Sequence, residues 1–400
     1  MIDVDTFPAY PCRMSSTTEI RKARIAVTVA FLINGVTTGT FVSRIPDFKR
    51  TLNLTNSALG LSLIFISFGV LSAIKPAGLN AAKYGSKPMT LIGGVGIAVT
   101  LPFVSLHVSR SWFVFILFIY GFVNATQDVS MNSHAVTLEE RAGRKMMSSF
   151  HAMWSVGALS GGAIGGLVAQ AKIGTGTHFI AVSIVILIAS FFIRNIFLPA
   201  ESDRHQIAKE AKQRNPRIFW TMGLLGLCGA IGEGSAGDWG GVLSRDTFHA
   251  SPFIATLPYI FFATTMVIGR FMGDRLSMKY GTRRLLITSG FIGGVGLASG
   301  LLIGHPYGVI LGWFLLGLGV STVIPLIFSA AGAIAIKDYQ GQISSSGAVA
   351  TVSGITYFGF VVGPPLMGFA ADRITLRWAM LIPAALAIVL ALGARQTIKE

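Results

Sequence analysis

Twelve apolar runs of roughly membrane-spanning length follow one another along this chain of 400 residues. A helix needs about 20 mainly apolar residues to cross a bilayer. The links between the runs are short and polar, which leaves no room for a soluble domain of ordinary size. The sequence therefore predicts an all-α membrane protein with twelve transmembrane helices. The runs lie at 24–45, 55–78, 88–108, 111–137, 146–170, 178–198, 217–243, 252–274, 283–304, 307–334, 343–370 and 376–394.

The composition agrees with a surface that faces lipid. Hydrophobic residues make up 52% of the chain and charged residues only 12%, whereas soluble domains carry about 25% charged residues. A soluble protein so poor in charge would expose large apolar patches. The sequence also contains no phosphate-binding loop, no nucleophile elbow and no cluster with metal-ligand spacing. We expect no enzymatic activity, no cofactor and no metal.

The net charge of +15 is interpreted as a topology signal. If the N-terminus is cytoplasmic and the chain alternates sides, most Lys and Arg residues fall on cytoplasmic links, as the positive-inside rule requires. We therefore expect cytoplasmic termini, a multi-pass location in a bacterial inner membrane and no nucleic-acid partner. The polar start leads directly into the first apolar run, which predicts a retained first helix, with Met14 as an alternative natural start.

The second half of the chain repeats the first at an offset of 196 residues. The segment "KYGSKPMTLIGG" begins at Lys83 and "KYGTRRLLITSG" at Lys279, and "MSSFHA" at Met147 has its counterpart "ISSSGA" at Ile343. Parallel repeats of this kind place a substrate site between the halves, near the membrane midplane. The predicted segments are a polar N-terminus (1–23), a six-helix bundle (24–198), a cytoplasmic linker (199–216), a second six-helix bundle (217–394) and a cytoplasmic tail (395–400).

The repeated basic hinge resembles the signature loop of the major facilitator superfamily, which typically reads Gly-x-x-x-Asp-Arg/Lys-x-Gly-Arg/Lys-Arg/Lys. Ala82 and Met278 stand where that family usually has Asp, so the acidic member of its charge latch is missing from both copies. The segments "RIPDFKRTLNLTNSALGLSL", "EGSAGDW" and "VGPPLMG" are similar to a bacterial branch related to sugar permeases of the fucose:proton symporter type.

The resemblance implies the major facilitator fold and a secondary active transporter that works by alternating access. It implies coupling to protons, a small solute such as a sugar or a related polar metabolite, and a monomer in the lipid bilayer. Because acids dominate the charges expected in the cavity, we expect a neutral or cationic solute. The alternatives are a drug or metabolite efflux pump and a non-transporting sensor or scaffold, which the missing hinge acids favour.

Helix four carries a polar stripe in its apolar run. Asn124, Asp128 and Asn132 follow one another at intervals of four residues and so share a helix face, with Gln127 beside them. Asp128 resembles in position the helix-four carboxylate implicated in proton coupling in the fucose-permease type. The alternative is a structural carboxylate held by amides of neighbouring helices. The three amides are candidates for substrate binding, and we expect His134 to be a packing residue.

Helices one and seven occupy matching places in the two halves, and both contain polar residues. Glu233 is the second candidate for proton coupling, or a ligand for substrate hydroxyls; the alternative is a hydrogen bond to a hydroxyl of helix one. Asn34, Thr38 and Trp239 are the candidates for substrate binding on these helices.

Several other charged or aromatic residues have two interpretations. Asp238 and Arg44 are expected near the outer surface, either paired as an outer gate or simply solvated. Arg270 lies inside helix eight and is expected to pair with Asp274 one turn further on. Trp154 can stack on a sugar face or anchor at the membrane interface; because it lies near the cytoplasmic end of helix five, we expect the second.

The hinge residues are candidates for gating. Gly85 and Gly281 permit a tight reversal, while Lys83, Lys279 and Arg283 hold the loops at the anionic inner face. The alternative is that these loops only set the topology.

Small residues and prolines predict features of two other helices. Gly157, Gly161 and Gly165 recur at intervals of four in helix five and predict a packing face. Pro364 and Pro365 in helix eleven leave carbonyl groups without intrahelical donors and predict a kink.

Overall fold

The computed structural model describes residues 17–106, 109–143, 146–200, 216–339 and 345–398, and this part of the chain is helical throughout apart from its turns. The helices are α1 Thr17–Thr51, α2 Asn56–Tyr84, α3 Ser86–Val104, α4 Arg110–Ala142, α5 Met147–Gln170, α6 Thr175–Ile193, α7 Arg217–Asp246, α8 Pro252–Tyr280, α9 Thr282–Ile303, α10 Pro306–Val320, α11 Val323–Tyr339, α12 Ser345–Ile374, α13 Leu376–Ala379 and α14 Leu381–Thr397.

Within the described residues, eleven helical passages are long and apolar enough to cross a membrane, counting α10–α11 and α13–α14 as one passage each. The remaining long helix, α7, has 30 residues. Its glycines and the acids Glu233 and Asp238 lower its apolar character, which is why it stands apart from the other eleven. The all-α membrane fold predicted from the sequence is confirmed, with α7 completing the twelve helical passages.

The tenth passage is broken, which the sequence analysis did not predict. Helix α10 ends at Val320 and α11 begins at Val323. Pro325 lies in the first turn of α11 and has no N–H, so it cannot continue the hydrogen-bond ladder back to Ser321. The Ser321 carbonyl therefore lacks its intrahelical donor, and the Ser321 hydroxyl donates to the carbonyl of Leu318 at 2.9 Å. The run predicted at 307–334 therefore forms one passage, with a break inside it.

The internal repeat is visible in the helix bounds. Helix α8 begins and ends 196 residues after α2, and each is followed by a glycine that starts the next helix. Gly85 and Gly281 have φ angles of 93° and 83°, a region that favours glycine. In each copy the hinge lysine lies over the ring of the tyrosine that follows it, at 4.9 Å in the first half and 5.1 Å in the second. The predicted turn chemistry of both hinges is confirmed.

Each half is held together by its own helix pairs. Helix α1 packs on α5, and α2 and α3 pack on α4; α7 packs on α12, and α9 packs on α10 and α14. The predicted glycine face of α5 is confirmed, since a Cβ on Gly157 or Gly161 would lie 2.1 or 2.3 Å from a carbonyl oxygen of α1. The halves meet along three seams, α2–α12, α5–α8 and α1–α7. The predicted linker 199–216 falls almost entirely outside the described residues.

Candidate functional site between the two halves

The three seams close one end of the space between the halves. We call the end where α1 finishes and α2 begins the closed end, and the opposite end, where α1 begins, the open end. On the α2–α12 seam, a Cβ on Gly60 would lie 2.4 Å from the carbonyl oxygen of Pro364, and one on Gly368 would lie 2.5 Å from that of Asn56. The two backbones are therefore in direct contact near the closed end.

The prolines of α12 supply a hydrogen-bond acceptor to this seam. Pro364 has no N–H, so the carbonyl of Phe360, four residues earlier, has no intrahelical donor. The Ser67 hydroxyl of α2 donates to that carbonyl at 3.2 Å. The free carbonyl expected from the sequence is thus bonded across the two halves.

A carboxylate of one half caps a helix of the other half. The first N–H groups of a helix have no intrahelical acceptor. In α2, the N–H groups of Asn56 and Ser57 donate to the two oxygens of Asp372, at 3.1 and 2.9 Å, and that of Ala58 donates to the hydroxyl of Thr55 at 3.1 Å. Since Asp372 belongs to α12, α2 depends on the other half for two of its three caps.

An ion pair closes the α1–α7 seam. The Lys49 ammonium lies 2.5 Å from the carboxylate of Asp246 and also donates to the Asn56 amide at 2.6 Å. Nearby, the side chain of Pro46 lies against Gly241, where an added Cβ would lie 3.3 Å away. These contacts tie the last turns of α1 and α7 together.

The α5–α8 seam is also closed at this end. A Cβ on Gly166 would lie 2.6 Å from the hydroxyl of Thr256, and one on Gly162 would lie 3.4 Å from the ring of Tyr259. The N–H of Phe253 donates to the Gln170 amide at 3.4 Å. All three seams therefore close on the same side of the molecule.

Towards the other end the halves separate. A Cβ on Gly354 of α12 would meet nothing within 4 Å, and Tyr357 is 49% exposed. Among the described residues, α4 of one half and α11 of the other do not pack against each other as a fourth seam. The space between the halves is therefore a cavity that opens at the end where α1 begins.

Titratable groups from five helices surround this cavity. Arg270 of α8 donates to both oxygens of Glu233 of α7, at 3.2 and 3.4 Å. The charges of Glu233, Arg270 and Asp128 all act on the hydroxyl of Tyr357 on α12, and that of Arg270 also acts on His151 of α5. Two acids and one cation thus lie around the cavity, and the sequence analysis had not assigned the cation to it.

Asp128 is held by its own helix. The Asn132 amide donates to a carboxylate oxygen of Asp128 at 3.2 Å and to its carbonyl at 2.9 Å. This confirms that the two residues share a face, and Asn124, on the same face, is also half-buried. No described cation pairs with Asp128.

A buried amide network lies beside this stripe. The Asn34 amide donates to Gln127 at 2.9 Å, and the Trp154 indole N–H donates to Asn34 at 2.9 Å. The Thr38 hydroxyl donates to the carbonyl of Asn34, at 3.2 Å. The network joins α1, α4 and α5, so the prediction that Trp154 anchors at the membrane interface was wrong.

Among the described residues, the structure shows neither an Arg44–Asp238 pair nor an accessible Trp239. Arg44 contacts Asp47 at 3.1 Å and donates to the carbonyl of Ile173 at 2.6 Å, both in its own half, while Asp238 has no ion-pair partner among the described residues. Trp239 is fully buried in the apolar core, so it cannot contact a solute in this conformation.

The described partner of Arg270 is Glu233. The predicted partner, Asp274, has a side chain that lies outside the described residues. The described bonds of Glu233 are those to Arg270, and its alternative interpretation, a bond to a hydroxyl of helix one, is not among them.

The hinge residues lie away from the cavity, beyond the open end of α2 and α8. Lys83 and Lys279 are exposed, and Arg283 donates to the carbonyl of Arg395 at 2.8 Å, which ties α9 to α14. His134 is buried and bonds the Ser86 hydroxyl at 2.6 Å, in agreement with a packing role. Within the described residues, no three His, Cys, Asp or Glu side chains could hold a metal ion together.

Sequence reasoning missed the closed-end contacts. Lys49, Asp246 and Asp372 each lie at the end of an apolar run, where charged residues are ordinary. Only the fold shows that these ends meet across the two halves. Arg270 was visible as a charge inside a helix, but its partner was assigned from local spacing.

Comparison with known proteins gives a consistent result. The sequence pattern of the Major Facilitator Superfamily matches residues 27–354 and 245–395. An uncharacterized MFS-type transporter of Yersinia pestis is 29% identical over 379 residues, covering 93% of this chain and 95% of the relative.

Two crystal structures share the fold. The nucleoside transporter NupG is similar with a TM-score of 0.73 and 14% identity, covering 94% of this chain and 99% of the other. The transporter FucP in its outward conformation gives a TM-score of 0.58 and 19% identity, with 94% and 98% covered.

Proposed function

This chain belongs to the Major Facilitator Superfamily, and we propose that it carries a small polar solute across the bacterial inner membrane by alternating access, coupled to protons. The strongest support is the difference between the two ends of the cavity: three seams close it on one side, and it opens on the other. If the N-terminus is cytoplasmic, as the charge distribution predicts, this is the inward-open state of a monomeric carrier whose partners are the solute, protons and the bilayer.

Asp128 is the proposed proton carrier. Carboxylates at membrane depth are costly and commonly serve transport. Asp128 faces the cavity, its hydrogen-bond donor is the neutral amide of Asn132, and no described cation balances its charge. Glu233 is the second candidate; its charge is balanced by Arg270 in this state.

The polar network supplies the proposed solute contacts. Asn34 and Gln127 are buried and join α1 to α4 through their own bond. The half-buried Asn124, Asn132 and Thr38, on the same two helices, are the proposed contacts in this state. These groups offer both donors and acceptors, which suits a solute with several hydrogen-bonding groups. The finer likeness to fucose:proton symporters stays a proposal.

The test is proton movement in liposomes. The wild type and Asp128→Asn are reconstituted with a pH-sensitive dye inside, and sugars, organic acids, amino acids and cationic drugs are added one class at a time. We expect one class to change the internal pH with the wild type and not with Asp128→Asn. Glu140→Gln, an exposed acid at the end of α4, is the matched control and should behave as the wild type. The sign of the pH change separates uptake with protons from exchange-driven efflux.

A pH change of equal size in both proteins would exclude Asp128 as the carrier and move that role to Glu233. No change for any class would favour the sensor or scaffold, an alternative supported by Ala82 and Met278 in the two hinges.

A further inference from the structure

Arg270 is the cation of the ion pair described in the cavity. We propose that it binds an anionic group of the solute, and that Glu233 occupies that position when the cavity is empty. The solute would be a small organic acid. This inference rests on the proposed transport function and gives the substrate class of the same cavity.

The Arg270–Glu233 pair leaves binding capacity unused. A guanidinium has five N–H donors in a planar fork. Among the described residues, only Nη2 of Arg270 is engaged, at 3.2 and 3.4 Å from the two oxygens of Glu233. A carboxylate prefers two parallel bonds to a guanidinium, and this geometry provides one shared nitrogen.

The pair is also accessible to water. The side chain of Arg270 is 42% exposed and that of Glu233 is 27% exposed. Ion pairs between partly exposed groups are weak and easily exchanged. A solute carboxylate that approaches from the open end can therefore take the free donors of Arg270 and displace Glu233.

The surroundings suit the rest of such a solute. Tyr357 of α12 lies within the electrostatic field of Arg270, Glu233 and Asp128, and His151 of α5 lies within that of Arg270. Phenol, imidazole and carboxylate groups can bond hydroxyl substituents. The acids that remain, Asp128 and the displaced Glu233, disfavour a solute with a second negative charge nearby. A singly charged acid with hydroxyl groups fits these surroundings best.

The test compares matched probes that differ in charge. Binding of D-glucuronate and D-glucose, and of lactate and lactamide, is measured by calorimetry and thermal shift on the purified full-length protein. We expect the two carboxylates to bind and the two neutral probes to bind at least tenfold more weakly. Glu233→Gln should bind the carboxylates about fivefold more tightly, because no described side chain then competes for Arg270.

Variants of the cation separate charge recognition from folding. Arg270→Gln should lose the preference for carboxylates, and Arg270→Lys should keep part of it, since the charge remains and the fork is lost. Arg275→Gln, an exposed position on the same helix, is the matched control and should bind as the wild type. Size-exclusion profiles and ligand-free melting temperatures show whether each variant is folded.

The outcomes are distinct from those of the transport proposal. Equal binding of neutral and charged probes overturns the inference, and so does failure of both carboxylates to bind Glu233→Gln, in which Arg270 has no described competitor. A neutral solute that moves protons equally well with wild type and Arg270→Gln would overturn the inference and leave transport standing. If the transport proposal itself is wrong, no solute class will change the internal pH of the liposomes.

Discussion

The carboxylate of Asp372 accepts two N–H groups that α2 cannot satisfy with its own residues. Its two oxygens bond Asn56 and Ser57, the first two residues of α2. A negative charge at a helix N-terminus is favourable, typically by about 0.3–1 kcal/mol at exposed sites. When the halves separate at this end, both N–H groups must turn to water. Asp372 therefore stabilises the state that is closed at this end.

Replacing Asp372 by Asn should weaken the closed end. The amide keeps one acceptor oxygen and loses the charge, so we expect the closed state to lose about 1 kcal/mol, or about a fivefold population shift. The measurement is the labelling rate of a single cysteine at Val42, behind the closed end, by an impermeant maleimide, with Cys12 and Cys228 replaced by Ser. We expect faster labelling in Asp372→Asn and an unchanged rate in Glu140→Gln; equal rates in all three proteins would contradict the role of Asp372.

At the scale of helices, most of what the structure shows was predictable because a membrane imposes length and composition on each crossing. The runs, the repeat and the positive φ at the two hinges follow from local sequence. The break between α10 and α11 was missed, because Pro325 was hidden in a strongly apolar run. The α2–α12 hydrogen bond was predictable only in part. Pro364 predicts a carbonyl without an intrahelical donor, but the local sequence does not indicate that Ser67 bonds to it.

The hinge between α2 and α3 gives a prediction at this scale. Gly85 has φ 93° and ψ 153°, a region essentially confined to glycine, with a cost of about 1–3 kcal/mol for other residues. A Cβ there would also lie 2.3 Å from the carbonyl of Ala200. Gly85→Ala should therefore lower the melting temperature of the purified protein.

Gly143→Ala is the matched comparison for the hinge. Its φ is 63°, and an added Cβ would meet nothing within 4 Å, so the change costs only the backbone preference, about 1 kcal/mol. A loss of stability at Gly143 as large as that at Gly85 would show that the contact with Ala200 contributes nothing.

For the whole molecule, the cavity was predicted in place and only partly in content. Parallel repeats predict a site between the halves, and Asp128, Asn124 and Asn132 do share a face. The partners of Arg270 and Trp154 were not predictable, because each depends on how helices distant in sequence are arranged. Local spacing selects neighbours on the same helix, whereas Glu233 reaches Arg270 from a different one.

The prediction for the whole molecule concerns the equilibrium between the conformation that is closed at the α2–α12 end and the one that is open there. Gly60→Ala places a Cβ 2.4 Å from the carbonyl of Pro364, an overlap that the two backbones can relieve only by moving apart. Spin labels at Thr51 and Thr247, which lie in different halves at the closed end, should show a larger population at long distance. Gly78→Ala, on the same helix with nothing within 4 Å of the added Cβ, should leave the distance distribution unchanged. If Gly60→Ala also leaves it unchanged, the overlap is relieved by small local shifts and the prediction is wrong.

The α2–α12 seam joins two main chains more than two sets of side chains. Its contacts are glycines against carbonyl groups, a serine on a carbonyl freed by proline, and a carboxylate on backbone N–H groups. The cavity, by contrast, is lined by side chains that differ in charge and hydrogen bonding. During evolution the residues that line the cavity, and with them the solute, can therefore change while the surface that closes the cavity stays the same. Divergence of substrate among relatives is then expected to outpace divergence of the seam.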